Sequence, residues 1–70
     1  MGTSENEVKL TVQEQRVLAL MAEGKLSTEI AEELALTVQT IKWYRMRLRA
    51  KLNASTSSAV IRRAMEIGLL

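Results

Sequence analysis

Residues 27–52 read STEIAEELALTVQTIKWYRMRLRAKL. The first third of this stretch repeats apolar residues at helical spacing, with Ser27 before them as a candidate N-cap. Residues 35–37 leave room only for a tight turn before a second helical pattern, which runs from about residue 38 to residue 52. Because so short a connection makes the second helix leave at a steep angle, the stretch predicts a helix-turn-helix.

Capping signals place one further helix on each side of this motif. Thr11 and Glu14 form a capping box, in which a hydroxyl and a carboxylate bind free amides at a helix start, and Gly24 offers the left-handed residue that ends the helix. A Ser/Thr cluster at 55–58 caps a last helix, which stops at Gly68. The sequence therefore predicts an all-α, compact four-helix domain with a central helix-turn-helix, its helices at about 12–23, 28–34, 38–52 and 58–67.

The composition suits this fold and limits its chemistry. The chain has 70 residues, which allow one domain with a modest core, and it contains no Cys, no His and no Pro. Because it also lacks Asp and a glycine-rich phosphate loop, we expect no enzymatic activity, no catalytic residue, no cofactor and no metal site.

The first ten residues do not have the pattern expected of a signal peptide. No apolar run approaches the roughly 20 residues of a membrane helix, and Glu5 and Glu7 stand where a signal peptide would be apolar. We expect a soluble, cytoplasmic protein that binds no membrane and no small molecule. Residues 1–9 lack periodicity, so we interpret them as a flexible tail or linker remnant, and residues 10–70 as the folded domain.

Positive charge is concentrated in the second helix of the motif. The net charge is only +2, but residues 1–36 hold seven Glu against three basic residues, whereas residues 37–53 hold five basic residues and no acid. Such segregation is typical of a polyanion-binding surface, because phosphate contacts supply most non-specific affinity for nucleic acids. The alternative is an ordinary solvated helix face.

Helical periodicity divides this helix into a core face and an outward face. Ile41, Leu48 and Leu52 share one stripe, and the only Trp of the chain lies opposite, where something should cover it. Since the N-terminal part of the second helix meets base edges in a helix-turn-helix, we predict base contacts from this face. The predicted base contacts are Gln39, Lys42, Trp43 and Met46. The predicted DNA backbone contacts, toward the flanks, are Thr37, Thr40, Tyr44, Arg47, Arg49 and Lys51.

Two features of this helix invite other interpretations. Trp43 can instead be a satellite core residue that packs on the fourth helix or on a partner, and Met46 can be a gap-filler. Arg45 falls near the core stripe, where a bare charge would be costly. We expect its stem to cover the edge of the core and its guanidinium to pair with an acid, Glu14 first and Glu29 or Glu33 next.

A series of short motifs runs in a fixed order through residues 10–70. They are Leu10-Thr11, Glu14, Val17-Leu18, Ala22-Glu23-Gly24, Glu29-Ile30-Ala31, Leu34, Thr40-Ile41-Lys42, Lys51-Leu52, Ala59-Val60 and Gly68-Leu69. This order resembles the LuxR/FixJ (GerE-like) DNA-binding domain of bacterial transcriptional regulators. The resemblance implies that Lys42 contacts DNA, that Thr40 lies near the DNA backbone and that Lys51 is a basic residue near the phosphates. The chain departs from the family at Val12, where Pro is frequent, and in a shorter loop after Leu52.

The function predicted from these observations is sequence-specific binding of duplex DNA for transcription regulation, with helix 38–52 in the major groove. The resemblance implies the C-terminal effector domain of a larger, response-regulator-like protein, a homodimer contact through the fourth helix, and RNA polymerase as a further partner. The surface predicted for the dimer comprises Ala59, Arg62, Arg63 and Glu66. Two alternatives stay open: promoter binding like that of sigma-factor region 4, and a helical protein-interaction module anchored by Trp43.

Overall fold

The structure is a computed structural model and describes residues 8–70. This part of the chain contains four helices. They are α1 (Val12–Ala22), α2 (Ser27–Leu34), α3 (Val38–Lys51) and α4 (Ser57–Glu66). The prediction of an all-α, four-helix domain is confirmed, and each predicted helix boundary lies within one residue of the observed one.

The folded domain includes residues 8 and 9, which the sequence predicts as part of a tail. Of the nine residues predicted as a tail, residues 1–7 lie outside the described residues. Val8 packs against the core, and the carbonyl of Lys9 accepts a hydrogen bond from Lys51 at 3.0 Å. These two residues therefore belong to the folded domain rather than to a tail.

Three of the four helices have a threonine as their N-cap. Thr11, Thr37 and Thr56 each accept a hydrogen bond at 3.0–3.1 Å from the backbone amide three residues later. At the start of α1 the Glu14 carboxylate also accepts from the amide of Thr11 at 2.9 Å, which confirms the predicted capping box.

The start of α2 differs from the prediction. Leu26, not Ser27, is the N-cap, and the carboxylate of Glu29 accepts a hydrogen bond from the Leu26 amide at 2.7 Å. Ser27 is thus the first residue of the helix, and because it does not serve as the cap, its hydroxyl is available to another partner.

Each of the four helices is followed, one or two residues after its last residue, by a residue in the left-handed region. These residues are Gly24, Ala35, Asn53 and Gly68, with φ between 52° and 86°. In each case the amide of the next residue donates to a carbonyl in the last turn of the helix, at 2.8–3.2 Å, which is the Schellman motif. Ala35 is the least suited of the four, since a Cβ in this conformation costs about 1 kcal/mol.

The core lies around α3, which packs against each of the other three helices. It is built from Val17, Leu18, Leu20, Met21, Ile30, Ala31, Ile41, Leu48, Leu52, Val60 and Ala64. The stripe predicted for α3 is thereby confirmed. Within residues 8–70, none of the helices combines the length and the apolar character that crossing a membrane demands.

Candidate nucleic-acid interface

One face of α3 points into solvent, as its periodicity predicts. Gln39 and Lys42 are exposed, Trp43 is 51% exposed and Met46 is 64% exposed. We call these four residues the reading face. Trp43 and Met46 stand three residues apart on the same face of α3, and an exposed apolar patch of this kind is typical of an interaction surface. Contact of the reading face with DNA stays a prediction.

The indole of Trp43 is held by neighbours on its own helix. The Tyr44 ring meets it edge to face, with ring centroids 5.0 Å apart and an interplanar angle of 74°. The guanidinium carbon of Arg47 lies 4.8 Å from the centre of the indole, at cation–π distance. These two contacts fix the orientation of the ring while leaving half of it open to solvent.

A buried carboxylate organises the other flank of α3. Glu14 has no exposed surface, and its two oxygens accept from Arg47 Nε at 2.9 Å and from Lys51 Nζ at 2.7 Å. Lys51 also donates to the Lys9 carbonyl. Burial by itself would raise the pKa of Glu14, but hydrogen bonds from Lys51, the Thr11 backbone and Arg47 outweigh it and lower this pKa to about 2. Glu14 therefore joins the start of α1 to the last turns of α3.

The predicted pairing of Arg45 with Glu14 is wrong, and the alternatives Glu29 and Glu33 are wrong as well. Arg45 donates from Nη1 to Ser27 Oγ at 2.6 Å and from Nη2 to Ser57 Oγ at 2.5 Å. The reason is the helix crossing: Arg45 enters the gap between the starts of α2 and α4, whereas Glu14 meets the opposite flank of α3. On that opposite flank, Arg47 and Lys51 stand four residues apart on one face of α3, and both reach Glu14.

The predicted DNA backbone contacts have different surroundings. The hydroxyls of Thr37 and Thr40 lie 2.9 Å apart at the start of α3, and the half-buried Tyr44 packs against the core. Arg49 is half-buried, and within residues 8–70 its Nε is buried without a hydrogen-bond partner. Sequence reasoning missed Glu14 as the partner of Arg47; the available signal was a capping-box acid opposite two cations at a spacing of four.

The predicted dimer surface on α4 is accessible. Arg62, Arg63 and Glu66 are exposed and Ala59 is half-buried. Arg63 and Glu66 form an exposed ion pair at 3.6 Å, which contributes little to stability.

Comparison with known proteins places this fold in a family. The bacterial regulatory proteins of the luxR family match residues 8–64, which is most of the chain. The chain belongs to the LuxR family. The resemblance inferred from its motif order is thus confirmed.

This LuxR-family chain is 36% identical over 61 residues to the transcriptional regulatory protein MctR of Rhizobium johnstonii, covering 87% of the chain and 28% of MctR. It is 43% identical over 53 residues to LiaR of Bacillus subtilis, covering 73% of the chain and 25% of LiaR.

Solved structures of LuxR-type proteins share the arrangement of the helices. The VqmA dimer of Vibrio cholerae, in the absence of target DNA, superposes with a TM-score of 0.87 at 30% identity, over 94% of this chain and 30% of VqmA. The VqmA–ligand–DNA complex gives a TM-score of 0.85 at 32% identity, over 90% of this chain and 28% of that chain. The LuxR-family chain therefore spans less than a third of these relatives.

Proposed function

We propose that this domain binds duplex DNA with sequence preference by placing the N-terminal half of α3 in the major groove. The observation that carries the proposal is the exposure of Trp43 and Met46 beside Lys42, on a helix with five basic residues and no acid. The major groove offers partners of both kinds, because thymine presents a methyl group and guanine presents two acceptors there.

Each residue of the reading face has a chemical role in this proposal. Lys42 donates to guanine O6 or N7, and Gln39 pairs with adenine. Trp43 and Met46 contact thymine methyl groups. The flanking residues position the domain on phosphates; they are Thr37, Thr40, Tyr44, Arg47, Arg49 and Lys51. Arg47 is compatible with this role because its only hydrogen bond to Glu14 comes from Nε.

The wider context of the proposal comes from the relatives. Because MctR, LiaR and VqmA are all several times longer than this chain, we propose that the domain is part of a larger protein. From the family resemblance we propose that it is the C-terminal effector part of a response-regulator-like protein. The DNA complex of VqmA supports the assignment of DNA as the ligand. We also propose RNA polymerase as a partner and the cytoplasm as the place of action, on the ground of the resemblance to bacterial transcriptional regulators.

The test compares two methionines of equal exposure. A duplex is selected from a randomised library with the wild-type domain, and affinity is measured on it and on random duplex at about 50 and 200 mM salt. Met46→Ala should lower the preference for the selected duplex about three- to fivefold, the value of roughly one buried methyl contact. Met65→Ala is the matched control, because Met65 is 63% exposed but lies on α4. It should leave the preference for the selected duplex unchanged.

Two outcomes contradict the proposal. One is a flat titration of the wild-type domain at low salt, with no change in Trp43 fluorescence. The other is an equal preference for selected and random duplex, which would leave a basic surface without a reading role. If the domain instead captures a protein through Trp43, the alternative of an interaction module gains support.

We also propose that two copies associate through α4 on DNA, with their α3 helices about 34 Å apart. The supporting observation is the accessible surface formed by Ala59, Arg62, Arg63 and Glu66. Sedimentation on a duplex with two half-sites should give two domains per duplex. Arg62→Glu should reduce this to sequential, independent binding; unchanged cooperativity would remove α4 from the interface.

A further inference from the structure

A single residue connects the indole of Trp43 to the buried carboxylate of Glu14. Glu14 Oε2 accepts a hydrogen bond from Arg47 Nε at 2.9 Å, and the guanidinium carbon of Arg47 lies over the indole, 4.8 Å from its centre. We call Glu14 and Arg47 the indole tether. It runs from the first turn of α1 to the reading face on α3, and neither of its residues belongs to that face.

The two oxygens of Glu14 have separate partners. Oε1 accepts from the Thr11 amide at 2.9 Å and from Lys51 Nζ at 2.7 Å, so this oxygen alone closes the capping box and pairs the charge with a cation. Within residues 8–70, Oε2 accepts from Arg47 alone. The bond to Oε2 therefore goes beyond what the helix cap and the neutralisation of charge require, and its effect is to fix the position of Arg47.

The tether gives Arg47 a defined geometry on an open surface. The Arg47 side chain is 42% exposed, and an arginine with this freedom normally samples many rotamers. The Glu14 side chain is 1% exposed, which makes it a rigid anchor. A planar guanidinium can donate from Nε at its edge while its face lies over a ring, whereas a lysine ammonium offers only a point charge. Arginine is thus the basic residue that suits this position.

The tethered indole differs from the other apolar side chain of the reading face. Trp43 is also in edge contact with Tyr44, which packs against the core, so two contacts fix the ring. Met46 is 64% exposed, and its unbranched side chain has three rotatable bonds. The reading face therefore presents one rigid and one flexible apolar group. The rigid group is the better discriminator, because little conformational entropy is lost when it makes a contact.

We infer that Glu14 and Arg47 are positioning residues for base recognition, which hold the Trp43 indole at the angle where it contacts the C5-methyl group of one thymine. The inference rests on the proposed function and adds that sequence preference depends on two residues that touch no base. The thymine methyl is the fitting partner because it is the apolar group that base edges present in the major groove. Without the tether, the domain should bind duplex but should not distinguish thymine from uracil at that position.

The experiment removes one thymine methyl at a time. Deoxyuridine replaces each thymine of the selected duplex in turn, which deletes the methyl group and keeps the hydrogen-bonding groups of the base. For the wild-type domain, this replacement should weaken binding about three- to fivefold at one thymine, the value of roughly one buried methyl contact. Trp43→Ala should remove the effect at that thymine and so identify it as the one that the indole contacts.

Glu14→Gln and Arg47→Met then test the tether. In both variants, deoxyuridine at the thymine contacted by the indole should weaken binding by less than about 1.5-fold, whereas a thymine contacted by Met46 should keep its wild-type effect. Arg47→Met also loses a charge, but the ratio of the two affinities cancels a loss that is uniform over duplexes. If Glu14→Gln does not fold, Arg47→Met decides alone, because Oε1 of Glu14 keeps both of its partners in that variant.

Lys51→Gln is the matched control, because Lys51 is the other cation bonded to Glu14 but is not part of the tether. It should weaken binding to all duplexes alike and keep the deoxyuridine effect. Near-ultraviolet circular dichroism of the free domain gives a second measurement, since Trp43 is the only Trp of the chain. Its bands report fixed packing of the ring. They should lose most of their intensity in both tether variants and keep it in Lys51→Gln.

The outcomes separate the inference from the proposed function. If Arg47→Met keeps the full deoxyuridine effect of the wild type, the indole contacts the methyl group without the tether, and the inference is overturned while the proposed function stands. An equal loss in Arg47→Met and Lys51→Gln assigns the effect to a general loosening of α3 and overturns the inference too. A wild type that binds the selected duplex with no deoxyuridine effect also overturns it, and a wild type that binds no duplex overturns both.

Discussion

Acid should unfold this domain chiefly through Glu14. The pKa of this carboxyl is lowered from 4.5 to about 2, so its stabilising effect is complete above pH 4.5 and is lost as the pH falls through 2. A difference of this size corresponds to about 3 kcal/mol of unfolding free energy. Because a domain of this length has only about 5 kcal/mol in total, one side chain accounts for much of its stability at neutral pH.

The measurement compares wild type with Glu14→Gln across that pH range. Glutamine keeps the shape and can still accept from the Thr11 amide, but it removes the charge that Arg47 and Lys51 share. Denaturant titrations followed by circular dichroism should show the variant about 3 kcal/mol less stable at pH 7. The gap should close as the pH approaches 2, because the other carboxylates are common to both proteins and cancel in the difference.

The control for this comparison is Glu23→Gln, an exposed carboxylate at the end of the same helix. Its unfolding free energy should stay within about 0.5 kcal/mol of wild type at each pH. A gap between wild type and Glu14→Gln that stays constant from pH 7 to pH 2 would refute the reasoning, because a fixed loss of packing does not titrate.

Three further substitutions test the described contacts. Ala35→Gly should stabilise the domain by about 0.5 kcal/mol, since relief of a left-handed alanine exceeds the added chain entropy; a lower melting temperature would contradict this. Thr11→Ala should cost about 1 kcal/mol in denaturant titrations, because the capping hydroxyl is lost; no loss would mean that Glu14 alone caps α1. Trp43→Ala should leave the melting temperature nearly unchanged while weakening duplex binding; a large loss of stability would assign the indole to the fold.

Local signals explain why the helices are predictable. Threonine hydroxyls, a capping-box acid and left-handed Gly or Asn act within one turn of the chain, so the printed sequence contains both partners of each contact. Ala35 is the exception among the helix ends. Nothing in an alanine favours positive φ, and that end is predictable only because residues 35–37 are too few for anything but a tight turn.

In the candidate site, too, some features are predictable from the sequence and others are not. The exposure of Trp43 and Met46 follows from the 3.6-residue period, because the core stripe of α3 fixes which face is left outside. The partners of Arg45 and Arg47 do not follow, because they depend on how α3 crosses α1, α2 and α4. Periodicity gives the direction of a side chain from its own helix, but it does not say which residue of another helix meets it there.

The cations of α3 have two different roles: some hold the fold together, and others stay exposed to solvent. Arg47 and Lys51 are committed to a carboxylate that also caps α1, so any tilt of α3 away from α1 would strip a buried charge of its partners, at a cost of about 3–5 kcal/mol. The reading face is therefore held at a fixed angle to the rest of the domain. A helix held in this way gains little from adapting to a ligand, so in the proposed complex discrimination comes from the exposed side chains of the reading face.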